Sequence, residues 1–271
     1  MPFLILRRWL AAVAGVVAVA LAIGCNRPAP VEQRDARAVR IAAAADLRYA
    51  LEEITVQLKQ IQPNLDLQVA YGSSGTFFAQ LVNGAPFDLF MSADIEYPRQ
   101  LAARGLTMPG SEFTYAIGRL VLWVPASSPL DVERAGMEAL ADPRVSYVSI
   151  ANPEHAPYGR AAEAAMRQAR VYDRVKAKIV FGENVSQALQ FVQSGAAQAG
   201  LVALSLAIAP AVRASGKFWE VPSTLHPQMD QGGVILRAAA DAEAARAVRA
   251  FLLGERGRAI LKQYGFFLPG E

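Results

Sequence analysis

Apolar positions along this chain follow two periods that alternate. Val39 to Ala44 is a short apolar run of strand length. Leu47, Leu51, Ile54, Leu58 and Ile61 then recur at three- and four-residue spacing, which predicts a helix with one buried face. Pro63-Asn64 stops it, and Leu65, Leu67, Val69 and Tyr71 alternate with polar or small residues as a strand does. Gly72-Ser73-Ser74-Gly75 follows, then a helix from about Thr76 to Val82 that ends at Asn83-Gly84. Phe87 to Met91 predicts a buried strand with Ser92-Ala93-Asp94 at its carboxyl end. Leu120 to Val124, Val145 to Ile150, Ile179 to Phe181 and Gly200 to Ala203 predict further strands. Each leads through a polar or Gly/Pro turn into a helical pattern. This βαβα order predicts an α/β fold with mainly parallel sheets flanked by helices.

The first residues depart from that alternation. Arg7 and Arg8 precede an apolar stretch from Trp9 to Ile23, a charged-then-apolar order that predicts an export signal. Leu21-Ala22-Ile23-Gly24-Cys25 resembles a bacterial lipobox, so Cys25 is the expected lipidation site and would anchor the chain to a membrane. Ala18, Ala20 and Ala22 leave ordinary signal cleavage and a soluble form as the alternative. Residues 1–25 are thus the expected signal, and residues 26–38, with Pro28, Pro30 and mixed charges, the expected linker.

Composition narrows the chemistry. Of 271 residues, 53% are hydrophobic and 19% charged, which predicts a packed core. The formal charge of +3 falls to +1 without Arg7 and Arg8, so nothing electrostatic suggests nucleic acid as a partner. His155 and His226 are the only histidines and lie far apart in sequence, a poor basis for a metal site. There is no Gly-x-Ser-x-Gly nucleophile elbow, and no Lys follows Gly72-Ser73-Ser74-Gly75 as a phosphate loop requires. Asp88 and Asp94 are expected to cap helices or make interdomain contacts rather than to act as an acid/base pair.

Open parallel sheets bind ligands beyond the carboxyl ends of their strands, where helix N-termini offer free N–H groups to anions. Four segments occupy such positions: Ala45-Asp46, Gly72 to Gly75, Ala151 to Gly159 and Glu183 to Ser186. The serines of the second can donate to an oxyanion, or Ser74 can serve only as a helix cap.

Several segments, in order, carry a resemblance. They are Ala42-Ala43-Ala44-Ala45-Asp46-Leu47, Tyr71-Gly72-Ser73-Ser74-Gly75, the run from Gly84 to Asp94, the run from Phe113 to Trp123, and Ala156-Pro157-Tyr158-Gly159. With them the chain resembles the periplasmic molybdate-binding proteins of bacterial ABC transporters (ModA type). The resemblance implies a two-lobed periplasmic-binding-protein fold of type II joined by crossing strands. One lobe would be residues 39–118 plus 225–271, the other 119–224. It implies capture of molybdate or tungstate, without catalysis or a separate cofactor, by a monomer that delivers it to a transporter permease from outside the cytoplasm. The oxyanion contacts would come from Ala45, Asp46, Ser74, Tyr158 and Val185, the last two through backbone N–H. Ala45 departs from the hydroxyl residue usual there, and Asp46 would have to turn away or donate only through its backbone. Another tetrahedral oxyanion such as sulfate, or an enzyme or sensory module on the same fold, remain alternatives at this point.

Overall fold

The computed structural model describes residues 37–270, and the expected signal, Cys25 and most of the expected linker lie outside them. Among these residues two five-stranded sheets are formed. In the first, β1 (Arg37–Ala44) lies between β2 (Leu65–Gly72) and β3 (Leu89–Ser92), parallel to both. In the second, β6 (Val148–Ala151) lies between β7 (Ile179–Gly182) and β8 (Ala199–Ala203), again all parallel. The two sheets therefore repeat one topology.

The parallel trios are the βαβα part visible in the sequence, but the sheets are mixed. β10 (Met229–Ile235) runs antiparallel to β3 and to β4 (Phe113–Gly118). β5 (Leu120–Pro125) runs antiparallel to β8 and to β9 (Gly216–Glu220). These added strands carry the chain between sheets. Only Arg119 separates β4 from β5, and the chain returns between β9 and β10. The Arg119 guanidinium grips both Glu220 carboxylate oxygens, at 2.7 and 2.5 Å, and lies 4.3 Å from the Phe267 ring centre, so the two crossings are tied together.

Strand alternation explains the packing of the first sheet. Val39, Ile41 and Ala43 enter the large core, whereas Ala42 joins Phe77, Leu81, Phe90 and Leu101 on the opposite face. A sheet covered on both faces needs a nearly continuous apolar strand, which is what Val39 to Ala44 supplies. Helix α1 (Arg48–Ile61) buries Ala50, Leu51, Ile54 and Leu58, the expected stripe. Each such Leu or Ile contributes roughly 1.5–3 kcal/mol by leaving water. Ile61, the last residue of that periodicity, is instead exposed at the helix end.

Strand β10 had no strand-like signal because Asp230, Gln231, Gly232 and Gly233 occupy it. Gly233 is held to glycine by packing, since a Cβ there would lie 2.7 Å from the Phe90 carbonyl oxygen. Strand β3 starts two residues later than the apolar pattern predicts. Asp88 leaves the run to accept from Arg40 N (2.7 Å), the Arg40 guanidinium (3.2 Å) and Ala240 N (2.7 Å). Burial pushes the Asp88 carboxyl up, but the Arg40 bonds and the backbone donors outweigh it and hold the group below its usual range.

Candidate functional site

The carboxyl ends of β1, β2, β6 and β7 face one another across the gap between the sheets, and a helical segment begins after each. A 3-10 turn, Ala45–Leu47, follows β1, α2 (Ser74–Val82) follows β2, and α3 (Glu96–Ala103) follows β3. From the second sheet come α4 (Pro157–Gln168) and α5 (Val185–Gln193). A small cavity of about 10 Å³ lies where these starts converge, lined in part by Ala45, Asp46, Ser74, Tyr158 and Val185. All five residues expected to touch an oxyanion are therefore brought together, two or more from each sheet.

Ser74 is 1% exposed, and its Oγ accepts from Ala93 N–H at 3.0 Å. That bond fixes the hydroxyl and leaves its own proton free for an acceptor in the cavity. Ser73, the N-cap, instead donates its hydroxyl to the His155 carbonyl at 2.5 Å. Gly75 N–H donates to the same carbonyl at 2.9 Å. A Cβ at position 75 would lie 2.6 Å from that oxygen, so only glycine permits the approach of the two walls.

On the opposite wall, α4 opens with Pro157 at its first turn and Ala156 as N-cap. Proline there removes a donor that has no helical partner in any case, and the Tyr158 N–H next to it has no acceptor inside the helix. Asn184 caps α5 by accepting from Ser186 N at 3.0 Å and Gln187 N at 3.1 Å. Those two donors are thereby used, and the Val185 N–H is left without a helical acceptor. These helix starts place partial positive charge at the cavity. Among the cavity-lining residues there is no Lys or Arg.

Asp46 is the charged side chain in this shell. It is 1% exposed, and its Oδ2 accepts from Gln231 Nε2 at 2.6 Å. The nearby Tyr158 hydroxyl and the Asp46 and Leu47 backbone N–H groups also favour its ionised form. Burial outweighs these influences and pushes the Asp46 carboxyl up to about 6. Burial, then the neighbouring Asp46 charge, pushes the Tyr158 and Tyr115 hydroxyls well above the usual tyrosine range. Asp46 thus turns inward, to a side chain of β10, and the Tyr158 side chain has a polar role beyond the backbone donor expected of it.

Other residues tie the walls together. Ser186 Oγ donates to the Ala45 carbonyl at 3.0 Å, and Ser205 Oγ to the Asp46 carbonyl at 2.8 Å. Further out, Arg160 Nη2 meets Asp94 Oδ2 at 2.6 Å and its Nη1 meets the Tyr97 hydroxyl at 3.1 Å. Asp94 thus makes a contact between the sheets, as expected. His155 contributes chiefly its carbonyl, while its ring lies against the Glu183 carbonyl at 3.1 Å. No cluster of potential metal ligands occurs among the described residues. Sequence reasoning missed Ser205 and Gln231. A lone amide within an otherwise apolar or Gly-rich stretch was the available signal for Gln231.

Comparison with known proteins adds to this geometry. The family described as bacterial extracellular solute-binding protein matches residues 39–267. The chain is 36% identical over 253 residues to the molybdate-binding protein ModA of Rhodobacter capsulatus, covering 93% of this chain and 95% of that protein. It is also 36% identical to ModA of Azotobacter vinelandii, covering 85% and 90%. The solved periplasmic molybdate-binding protein of Azotobacter vinelandii superposes with a TM-score of 0.79 at 35% identity, covering 85% of this chain and 99% of that one.

Proposed function

Because the chain belongs to the bacterial extracellular solute-binding proteins, with ModA-type molybdate-binding proteins among its relatives, we infer that the cavity between its sheets is the oxyanion site. The protein is a non-catalytic, periplasmic binding protein that captures molybdate or tungstate and delivers it to an ABC importer. The single observation that carries the assignment of the site is the convergence of four helical starts on one cavity lined by no cation. Such a shell suits a small dianion, because N–H dipoles and hydroxyls stabilise it without a basic partner.

In this reading Ser74 donates through its hydroxyl, and Ala45, Asp46, Tyr158 and Val185 donate through backbone N–H. The first lobe is residues 39–118 with 225–271 and the second is 119–224, since the chain passes between sheets at Arg119 and between Glu220 and Met229. Each lobe contributes donors, so both sets are satisfied only when the walls close on the ligand, which therefore shifts an open–closed equilibrium. The protein works as a monomer, held to the membrane through acylated Cys25.

Calorimetric titration with molybdate, tungstate and sulfate tests the reading. Tight one-to-one binding of molybdate and tungstate, with sulfate much weaker, is expected. Absence of binding by all three would overturn it.

A further inference from the structure

We propose that Asp46 makes oxyanion capture by this chain proton-coupled, its carboxylate taking up one proton from solvent as a fully ionised tetrahedral dianion enters. The proposal rests on the oxyanion reading above and adds to it a residue that sets when the site can be filled.

The geometry shows a network short of one donor. Asp46 Oδ1 and Gln231 Oε1 are both buried acceptors with no hydrogen-bond partner. Gln231 Nε2 donates to Asp46 Oδ2 and lies 3.4 Å from the Tyr158 hydroxyl. Gln231 is itself fully buried. A proton on Asp46 Oδ1 would supply the missing donor, directed to the amide oxygen or to the anion. A buried acceptor left unmade is costly, and a buried charge without a cation more so.

The surroundings offer no other route to neutrality. Tyr158 of α4 and Tyr115 of β4 are the titratable groups facing the carboxyl, and both stay protonated. Helix α5 and the short helix Leu204–Ala207 carry no titratable side chain. Arg48, the nearby cation at the start of α1, is directed over the Tyr71 ring of β2, 5.3 Å from its centre. The carboxyl's proton affinity is already raised by burial, to about 6. A dianion sharing the cavity raises it further, because like charges disfavour the ionised form. A protonated Asp also has the shape and donor capacity of an amide, so the site accepts the anion as a neutral shell only in that state.

The test is calorimetry with molybdate, which stays fully ionised across the range used, at pH 6.5 to 8.5. The wild-type affinity should fall about tenfold per pH unit, the slope of one linked proton. At pH 7.5, titration in two buffers of different ionisation enthalpy should report uptake of close to one proton per molybdate. Asp46→Asn should bind molybdate with no pH slope and no proton uptake, and more tightly than wild type at pH 8.5. The two-buffer titration needs no variant, so it decides the matter even where Asp46→Asn folds poorly. Pronounced molybdate binding by wild type without slope or proton uptake would overturn the proposal and leave the oxyanion reading intact. So would a preference for hydrogen phosphate that Asp46→Asn abolishes, since the carboxylate would then be accepting the ligand's proton. No molybdate binding by either protein at any pH would overturn the oxyanion reading itself.

Discussion

The two walls of the cavity are built alike and work differently. Each is a pair of helical starts placed at the ends of parallel strands, β1 and β2 on one side and β6 and β7 on the other. The first wall presents side chains: the Ser74 hydroxyl, fixed by Ala93, and the Asp46 carboxyl, fixed by Gln231. The second presents mainly backbone, the N–H groups of Tyr158 and Val185, behind a proline and an asparagine cap. A backbone donor is indifferent to the residue that carries it, so the second wall can vary in sequence without changing what it offers. The first wall cannot. If the proposed oxyanion site is right, substitutions there, at Ala45 among others, are expected to change affinity and its pH dependence.

The largest expected effect tests the first wall without ligand. Because folding raises the Asp46 carboxyl to about 6, the folded state holds a proton that the unfolded chain releases near pH 4. Stability therefore falls as pH rises through that window, by up to about 3 kcal/mol once the group is ionised in both states. Asp46→Asn should remove the fall, so its thermal melt should lie above wild type at pH 8 and near it at pH 4. A variant that melts lower at pH 8 would mean that the ionised carboxylate stabilises the fold.

Next, Ser74→Ala should weaken molybdate binding about ten- to hundredfold, the worth of one hydrogen bond to a charged group. It should also melt slightly lower, because Ala93 N–H loses its acceptor. Lower melting with unchanged affinity would reduce Ser74 to a structural role and leave the first wall without a side-chain donor. The contact between the walls comes third. Arg160→Ala removes the bond to Asp94, an ion pair partly open to water, and pairs of that kind contribute about 0.2–1 kcal/mol. Affinity should drop by no more than about fivefold and the difference should shrink at high salt. The smallest effect belongs to the second wall. Val185→Ala should cost some stability, since the side chain is buried, yet leave affinity within about twofold because its donor is backbone. A loss matching that of Ser74→Ala would erase the distinction between the walls.

What could be read in the sequence follows the same division. The parallel trios announced themselves through period-two and period-3.6 apolar spacing, and the turns after them marked both walls. The crossing strands were harder to see for physical reasons. Strand β9 lies at a sheet edge and is only half-buried, so Gly216 to Glu220 carries no clear alternation. Strand β10 places Gly233 against the Phe90 carbonyl and carries Gln231 for the site. Asp46 was visible as an anomaly beside an expected anion, but its inward turn depends on Gln231, 185 residues away in sequence, and no local pattern encodes that partnership. The His155 carbonyl is likewise invisible in sequence, because what it contributes is a backbone atom positioned by the turn before α4.

A crystal structure with molybdate, read through the anomalous scattering of molybdenum, tests the oxyanion site itself. One strong peak is expected between the walls, with the anion's oxygens within hydrogen-bond distance of Ser74 Oγ and of the Tyr158 and Val185 N–H groups. A peak elsewhere on the molecule, or none in crystals grown with saturating molybdate, would contradict it.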